Sequence, residues 1–280
     1  MTTIVRRRKL GLKSIVGITA ASTTGIGWCN NYEQIVNDEV YIRWGCTSTV
    51  PNPDAKIINS AASIHRISDK SGFRKVMNDE GRVLAPPTFF RPDTVPNEYV
   101  ESGMVTRPQH HAQGRNLTVT YNYPDLQAAM AKAGPNSYTS LLIRKVAEFR
   151  VFIHQGRVVW VAKKTPADPE AVAWNVAKGG RFDNVRWDDW NVDVVNNALE
   201  VWELTKAHFA GIDIMLDERG NAWCVEANSA PSQTSPYRQS CVAKAFDYMI
   251  RNQKYERRIF NPVHVTNWKD VIHPGVWNRE

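Results

Sequence analysis

Apolar residues follow two periods along this chain. Residues 14–19 read as a short buried strand, 22–31 are rich in turn formers, and 40–44 read as a second strand, which predicts a small α/β lobe. Phe73, Val76 and Met77 then recur at helical spacing over 71–80, and Gly81 offers the left-handed stop such helices use. Pro86 and Pro87 exclude a helix next and set an extended path over 83–90. The following stretch predicts a strand at 104–108, a polar loop at 110–116, an alternating strand at 117–121 and a helix at 125–132.

Two hairpins dominate the remainder. Strands at 148–154 and 157–163 flank Gln155 and Gly156, a two-residue turn. That turn pairs His154 with Arg157, Arg150 with Val161 and Glu148 with Lys163. Lys163, and not Lys164, then shares the face of Glu148 and Arg150, while Phe149, Val151, Ile153 and Trp160 pack on the other. Val195, Leu199, Trp202 and Phe209 keep helical spacing over 193–209, with Gly211 as the stop. Strands at 212–216 and 222–228 enclose a turn at 217–221. A four-residue loop from Asp217 to Gly220 pairs Leu216 with Asn221 and sets Asp213 opposite Cys224, with Glu226 its diagonal neighbour. A three-residue loop turns Asp213 away unless a bulge restores it. A last helix is predicted over 237–252, followed by a basic tail dotted with aromatic residues.

Composition narrows the class. The 280 residues, 42% hydrophobic and 22% charged, describe a globular chain long enough for two or three lobes. A net charge of +7 favours anionic partners such as nucleotides, acidic peptides or nucleic acid without choosing among them. Cys29, Cys46, Cys224 and Cys241 form no CxxC pair, so neither a zinc site nor a dithiol motif is indicated and a reducing, cytoplasmic setting fits. No run approaches the ~20 apolar residues that span a bilayer, and the polar interruptions of 15–21 argue against a signal peptide. Trp160, Trp202 and Trp223 fall in regular elements and read as core, not as base-stacking platforms.

The chemistry concentrates in two segments. Glu226 and Asn228 are two apart on one strand and face the same way, beside Asp213 on its partner. Such hard oxygen ligands suit Mg²⁺ that also holds phosphates; a solvated strand edge is the plainer alternative. Gly211-Ile-Asp-Ile-Met through Val225-Glu-Ala-Asn-Ser-Ala-Pro resembles the end of the ATP-grasp fold, with its Asp-Ile, hairpin and Glu-x-Asn-x-x-Pro. Asp69-Lys70, Pro86-Pro87-Thr88-Phe89 and Asn175-Val-Ala-Lys-Gly-Gly match the same family in order. The resemblance covers most of 57–237, is weaker over the first 56 residues, and is closest to the branch containing ligases that add glutamate to ribosomal-protein tails and to bacteriophage ATP-grasp proteins.

The resemblance implies an α/β (α+β) fold in which two α+β lobes grip ATP behind a small N-terminal lobe. Its expected boundaries are 1–64 for that lobe, 65–140 for the central lobe, 141–253 for the C-terminal lobe and 254–280 for the tail. It implies ATP and Mg²⁺ as cofactors, with Asp213, Glu226 and Asn228 as metal ligands and Arg150 and Asn175 as catalytic residues, the asparagine near the phosphates or the acceptor. ATP contacts fall to Arg107, Gly114, Arg115, Lys145, Glu148 and Lys163. Arg107 replaces the family's usual lysine, and the loop at 110–115 carries little glycine for a phosphate cover. A structural ion pair between Glu148 and Lys163 is the competing use of that pair. The implied activity is joining a carboxylate to an amine of an amino acid or peptide through an acyl phosphate, releasing ADP and phosphate. The alternatives are a nucleic-acid-binding protein on this scaffold and a ligase whose acceptor is carried by nucleic acid or a basic peptide.

Overall fold

A computed structural model of the chain describes residues 1–7, 11–31, 37–109, 117–168, 171, 172, 174, 179–259, 265 and 267–277. The chain begins with β1 (Thr2–Arg6), α1 (Leu12–Ala21), β2 (Gly27–Asn30), β3 (Val40–Trp44) and β4 (Lys56–Ile58). These strands form a parallel sheet in the order β2-β1-β3-β4. Parallel strands are covered on both faces, and every residue of β1 and β3 is buried. Residues 14–19 are therefore helix, not the expected strand. Ile15 and Ile18, three apart, face inward together, and the left-handed Gly11 (φ 64°) sets the helix start. A short apolar run satisfies both periods, and the strand role falls to Thr2–Arg6.

Two helices follow, α2 (Ala61–Ser68) and α3 (Lys70–Asp79), with Asp69 accepting from the Gly72 amide at the start of α3. Next come β5 (Thr88–Phe89), α4 (Asn97–Ser102), β6 (Met104–Arg107), β7 (Thr118–Thr120), α5 (Tyr123–Ala133) and β8 (Tyr138–Leu141). Their strands make an antiparallel sheet in the order β5-β8-β6-β7.

The third sheet carries β9 (Lys145–His154), β10 (Arg157–Thr165), β11 (Arg181–Val185), β12 (Phe209–Asp217) and β13 (Ala222–Asn228), with α6 (Val192–Thr205) inserted before β12. All its pairings are antiparallel, in the order β11-β10-β9-β12-β13. The helix that was expected to reach Phe209 ends at Thr205, where Lys206 turns left-handed (φ 56°). Phe209 opens β12 opposite His154, and Gly211 lies inside the strand. The chain closes with α7 (Pro236–Arg251), α8 (Trp268–Val271) and α9 (Pro274–Trp277). The terminal segment is anchored by Ile272 bridging Val158 and by the His273 amide donating to the Val158 carbonyl at 2.8 Å.

Alternation along β9 separates two uses of the third sheet. Phe149, Val151 and Ile153, with Ile212 and Ile214, pack under Leu199 and Trp202 of α6. Phe152, Trp160 and Phe209 point the other way, beneath α7 and the first sheet, where Trp44 stacks on Phe209 at 5.2 Å. Each such fully buried large side chain contributes on the order of 2–3 kcal/mol. The same face continues towards Glu148 and Arg150 as a charged floor. No helix among the described residues is long and apolar enough to cross a membrane, and the four cysteines are buried and form no disulfide.

Candidate active site

Strand parity decides which side chains reach this floor. The Gln155-Gly156 turn pairs His154 with Arg157 as its composition predicts, but a bulge lies between Val158 and Trp160. The extra residue, Val159, shifts every later partner by one: Arg150 faces Ala162, and Glu148 faces Lys164. The sequence-based register is thus corrected. Lys163 is exposed and opposite Phe149, whereas Lys164 is 7% exposed and lies on the floor with Trp160 behind it.

A second bulge acts on β13. Leu216 pairs with Ala222, not Asn221, so a regular ladder would place Asp213 opposite Val225. The irregularity between Asp213 and Ile214 skips Val225 and sets Asp213 directly opposite Glu226. Asp213 and Glu226 thus share a face through a bulge, instead of through the expected loop length.

The groups on this floor form one network. Arg150 grips Asp213 with both prongs of its fork, Nε to Oδ1 at 2.6 Å and a terminal nitrogen to Oδ2 at 2.7 Å. Lys164 Nζ donates to Asp213 Oδ2 at 3.0 Å and also to Glu148. Lys145 Nζ donates to the other oxygen of Glu148 at 2.6 Å and to the Val172 carbonyl at 3.0 Å, with its ammonium 4.5 Å from the Trp174 ring centre. Phe182 of β11 roofs the cluster, 4.9 Å from the Arg150 guanidinium. Glu226 accepts from Asn228 at 3.0 Å and lies 3.9 Å from Lys70.

Electrostatics follow from this crowding. Burial alone would raise the Glu226 carboxyl, but Lys70, Lys164 and Arg150 outweigh it and hold the group well below the usual carboxylate range. Asp213 is likewise lowered: burial opposes ionisation, and Arg150 and Lys164 overcome it. Burial lowers Lys145 despite Glu148, with Lys164 and Arg107 adding to the fall. Lys164 shows the reverse balance, its burial outweighed by Asp213 and Glu148. Four cations, Lys70, Lys145, Arg150 and Lys164, thus surround three carboxylates, and Arg107 at the end of β6 adds its field from the second sheet. Such a surplus suits a polyanionic ligand.

Of the predicted residues, Arg150, Lys145, Glu148, Asp213, Glu226 and Asn228 come together on or beside the floor, and Arg107 lies close enough to act on Lys145. Lys163 does not join them. Asn175, Gly114 and Arg115 lie outside the described residues. Sequence reasoning missed Lys164 and Phe182 and gave Lys70, quoted within Asp69-Lys70, no role in the site; the adjacent Lys163-Lys164 pair was the signal for the first, and only a recognised bulge could have chosen between them.

A magnesium ion can be tested against the donors present. Asp213, Glu226 and Asn228 share one face and offer only hard oxygen ligands. Both oxygens of Asp213 are held by Arg150 and Lys164, while Glu226 is half-buried and ionised. Among the described residues no group of three or more His, Cys, Asp or Glu side chains is placed to hold a metal. The set therefore fits an ion that takes one or two carboxylates and an amide from the protein and completes its shell from phosphate oxygens and water, the usual habit of Mg²⁺.

Neither a protein-family model nor a curated protein matches the chain. Solved structures do. D-alanine–D-alanine ligase from Bacillus anthracis in complex with ATP is similar over 91% of this chain and 99% of its own, with a TM-score of 0.63 and 12% identity. The ATP-grasp ligase PsnB, complexed with minimal precursor, Mg and ADP, covers 87% and 95% at a TM-score of 0.62 and 12% identity. The macrocyclase MdnC from Microcystis aeruginosa, bound with precursor peptide MdnA, covers 87% and 98% at 0.60 and 12%. The fold is that of the ATP-grasp ligases.

Proposed function

We propose that this protein is an ATP-dependent carboxylate–amine ligase that works through an acyl phosphate and releases ADP and phosphate. The observation that carries the reading is the floor itself: a surplus of buried cations threaded with carboxylates, at the position where two hairpins of an ATP-grasp fold meet. Structural relatives support it, since one is a complex with ATP and another with Mg, ADP and a precursor.

In this reading Lys145, Lys164 and Arg107 bind the phosphates, and Glu148 orients the two lysines by accepting from both. Glu226 and Asn228, with Asp213 beside them, would hold magnesium, which would supply charge neutralisation on the phosphates. Arg150 has a fixed charge and a rigid fork, and it stabilises negative charge on the transferred group and the tetrahedral adduct. Burial keeps these dipoles and charges preorganised, so little reorganisation accompanies transfer. No side chain is required as a nucleophile, because the substrate carboxylate attacks the γ-phosphorus and the amine attacks the activated carbonyl. The donor is a carboxylate and the acceptor an amino acid or peptide amine, in line with the sequence resemblance to glutamate ligases of ribosomal-protein tails. Four buried cysteines outside any disulfide are consistent with a cytoplasmic setting.

ADP release screened against pools of amino acids and peptides tests the assignment. Stimulated ADP and phosphate formation with a matching amide product is expected. AMP and pyrophosphate with the true substrates would remove the mechanism even though the fold stands.

A further inference from the structure

The bulge at Val225 sets Glu226 opposite Asp213, and a bulge leaves ladder groups without strand partners. β13 is also the edge of its sheet, so its outer side has no neighbouring strand among the described residues. Side chains and one extended segment cover that edge. The Cys224 amide donates to the Leu84 carbonyl at 2.8 Å, and Asn197 donates to both the Leu84 and Ala222 carbonyls. Around the bulge the donors come from α3. Arg74 donates to the Cys224 carbonyl at 3.4 Å and to the Val225 carbonyl, and Lys70 donates to the Ala227 carbonyl at 2.6 Å.

Arg74 is 2% exposed, and its partners are carbonyl oxygens and the Tyr138 ring, 6.0 Å from the guanidinium, instead of a carboxylate. Burying a full charge for two carbonyl oxygens is a costly arrangement for stability alone. Its forked donors, however, span two consecutive carbonyls of the distorted strand, which a single ammonium does not. Lys70 lies four residues earlier on the same helix face and also faces Glu226 at 3.9 Å.

We propose that Arg74 and Lys70 are positioning residues: α3 clamps the β13 bulge and thereby keeps Glu226 opposite Asp213, on the face that would hold magnesium. The metal part of this inference rests on the ligase reading; the clamp itself does not. Loss of the clamp lets β13 relax towards a regular ladder, in which Asp213 faces Val225 and Glu226 turns away.

Two measurements on Arg74→Met, Arg74→Lys and Lys70→Met test it. The first is amide hydrogen exchange of 222–228 in the ligand-free protein, with α6 as internal reference. The second is ADP affinity by titration calorimetry with and without Mg²⁺. Arg74→Met is expected to speed exchange across β13 about tenfold while α6 stays protected. It should also remove about tenfold of the affinity that Mg²⁺ adds, leaving Mg²⁺-free ADP binding within about twofold; Arg74→Lys should fall between it and the parent. Should Arg74→Met fail to fold, Arg74→Lys makes the same comparison, and Lys70→Met, which also removes a cation facing Glu226, is read by β13 exchange alone. Unchanged β13 exchange and an unchanged Mg²⁺ increment in the folded variants would overturn the clamp. A parent protein whose ADP binding gains nothing from Mg²⁺ would instead remove the ligase reading, and β13 exchange would still decide the clamp.

Discussion

Replacing Lys164 by methionine is expected to be far more damaging than replacing its neighbour Lys163. The Lys164 side chain is 8% exposed and bridges Glu148 and Asp213, themselves 7% and 4% exposed. Removing one partner of a buried pair costs roughly 3–5 kcal/mol. Here each carboxylate keeps a second cation, Lys145 for Glu148 and Arg150 for Asp213, which places the loss near the lower end, about 3 kcal/mol. For a chain of this size that is a fall in Tm of roughly 6–12 °C. Lys163 is exposed, and its removal should stay within about 0.5 kcal/mol. Thermal unfolding of the two variants by circular dichroism near neutral pH reads the difference, and ATP turnover should fall only in Lys164→Met. A larger loss in Lys163→Met would show that β10 runs without the bulge at Val159.

Arg107→Ala should weaken ATP binding by about tenfold and Arg107→Lys by less, since the lysine keeps the charge and loses the fork; equal affinities by calorimetry would take Arg107 away from the phosphates. Acid should loosen the opposite end of the sheet. Burial, reinforced by Arg157 and Lys254, pushes His273 down to about 3, and burial with the neighbouring His273 and His208 holds His154 well below 6.5. The folded state thus binds fewer protons than the unfolded state below 6.5. Stability is present above that value and is lost as pH falls, by up to about 1.4 kcal/mol per pH unit for each histidine. Denaturant midpoints measured from neutral to mildly acid pH should show this slope, and His273→Gln should make it shallower; an unchanged slope would mean the imidazole is not held neutral.

Periodicity located β9 because its two faces differ in polarity, Phe149, Val151 and Ile153 alternating with Glu148 and Arg150, and composition alone identifies the Gln155-Gly156 turn. Pairing across the ladders was not legible in the same way. Register counted outward from a turn assumes one residue per step, and the bulges at Val159 and Val225 break that assumption in strands whose residue types give no warning. For Lys164 the consequence was the wrong lysine. For Asp213 the partner was still Glu226 in space, because the loop is a residue longer than counted and the bulge compensates. The first lobe was less legible still: residues 14–19 are too few to separate a strand from a helix, and no strand was expected at Thr2–Arg6, whose burial depends on its parallel neighbours. Lys70 was found as part of Asp69-Lys70, but its contact with the Ala227 carbonyl 157 residues away is a product of tertiary packing.

The most direct measurement is ATP binding to the intact protein, by titration calorimetry across a Mg²⁺ series, for the parent and for Glu226→Gln. Glu226 is ionised and half-buried beside Asn228 and Asp213, and the glutamine keeps its shape while removing the charge. The parent should bind ATP with an affinity that rises with Mg²⁺, and Glu226→Gln should remain folded, bind ATP without metal about as well as the parent, and lose most of the increment. ATP binding absent from the parent, or a Mg²⁺ dependence identical in the two proteins, would contradict the assignment of this floor as the nucleotide and metal site of a ligase.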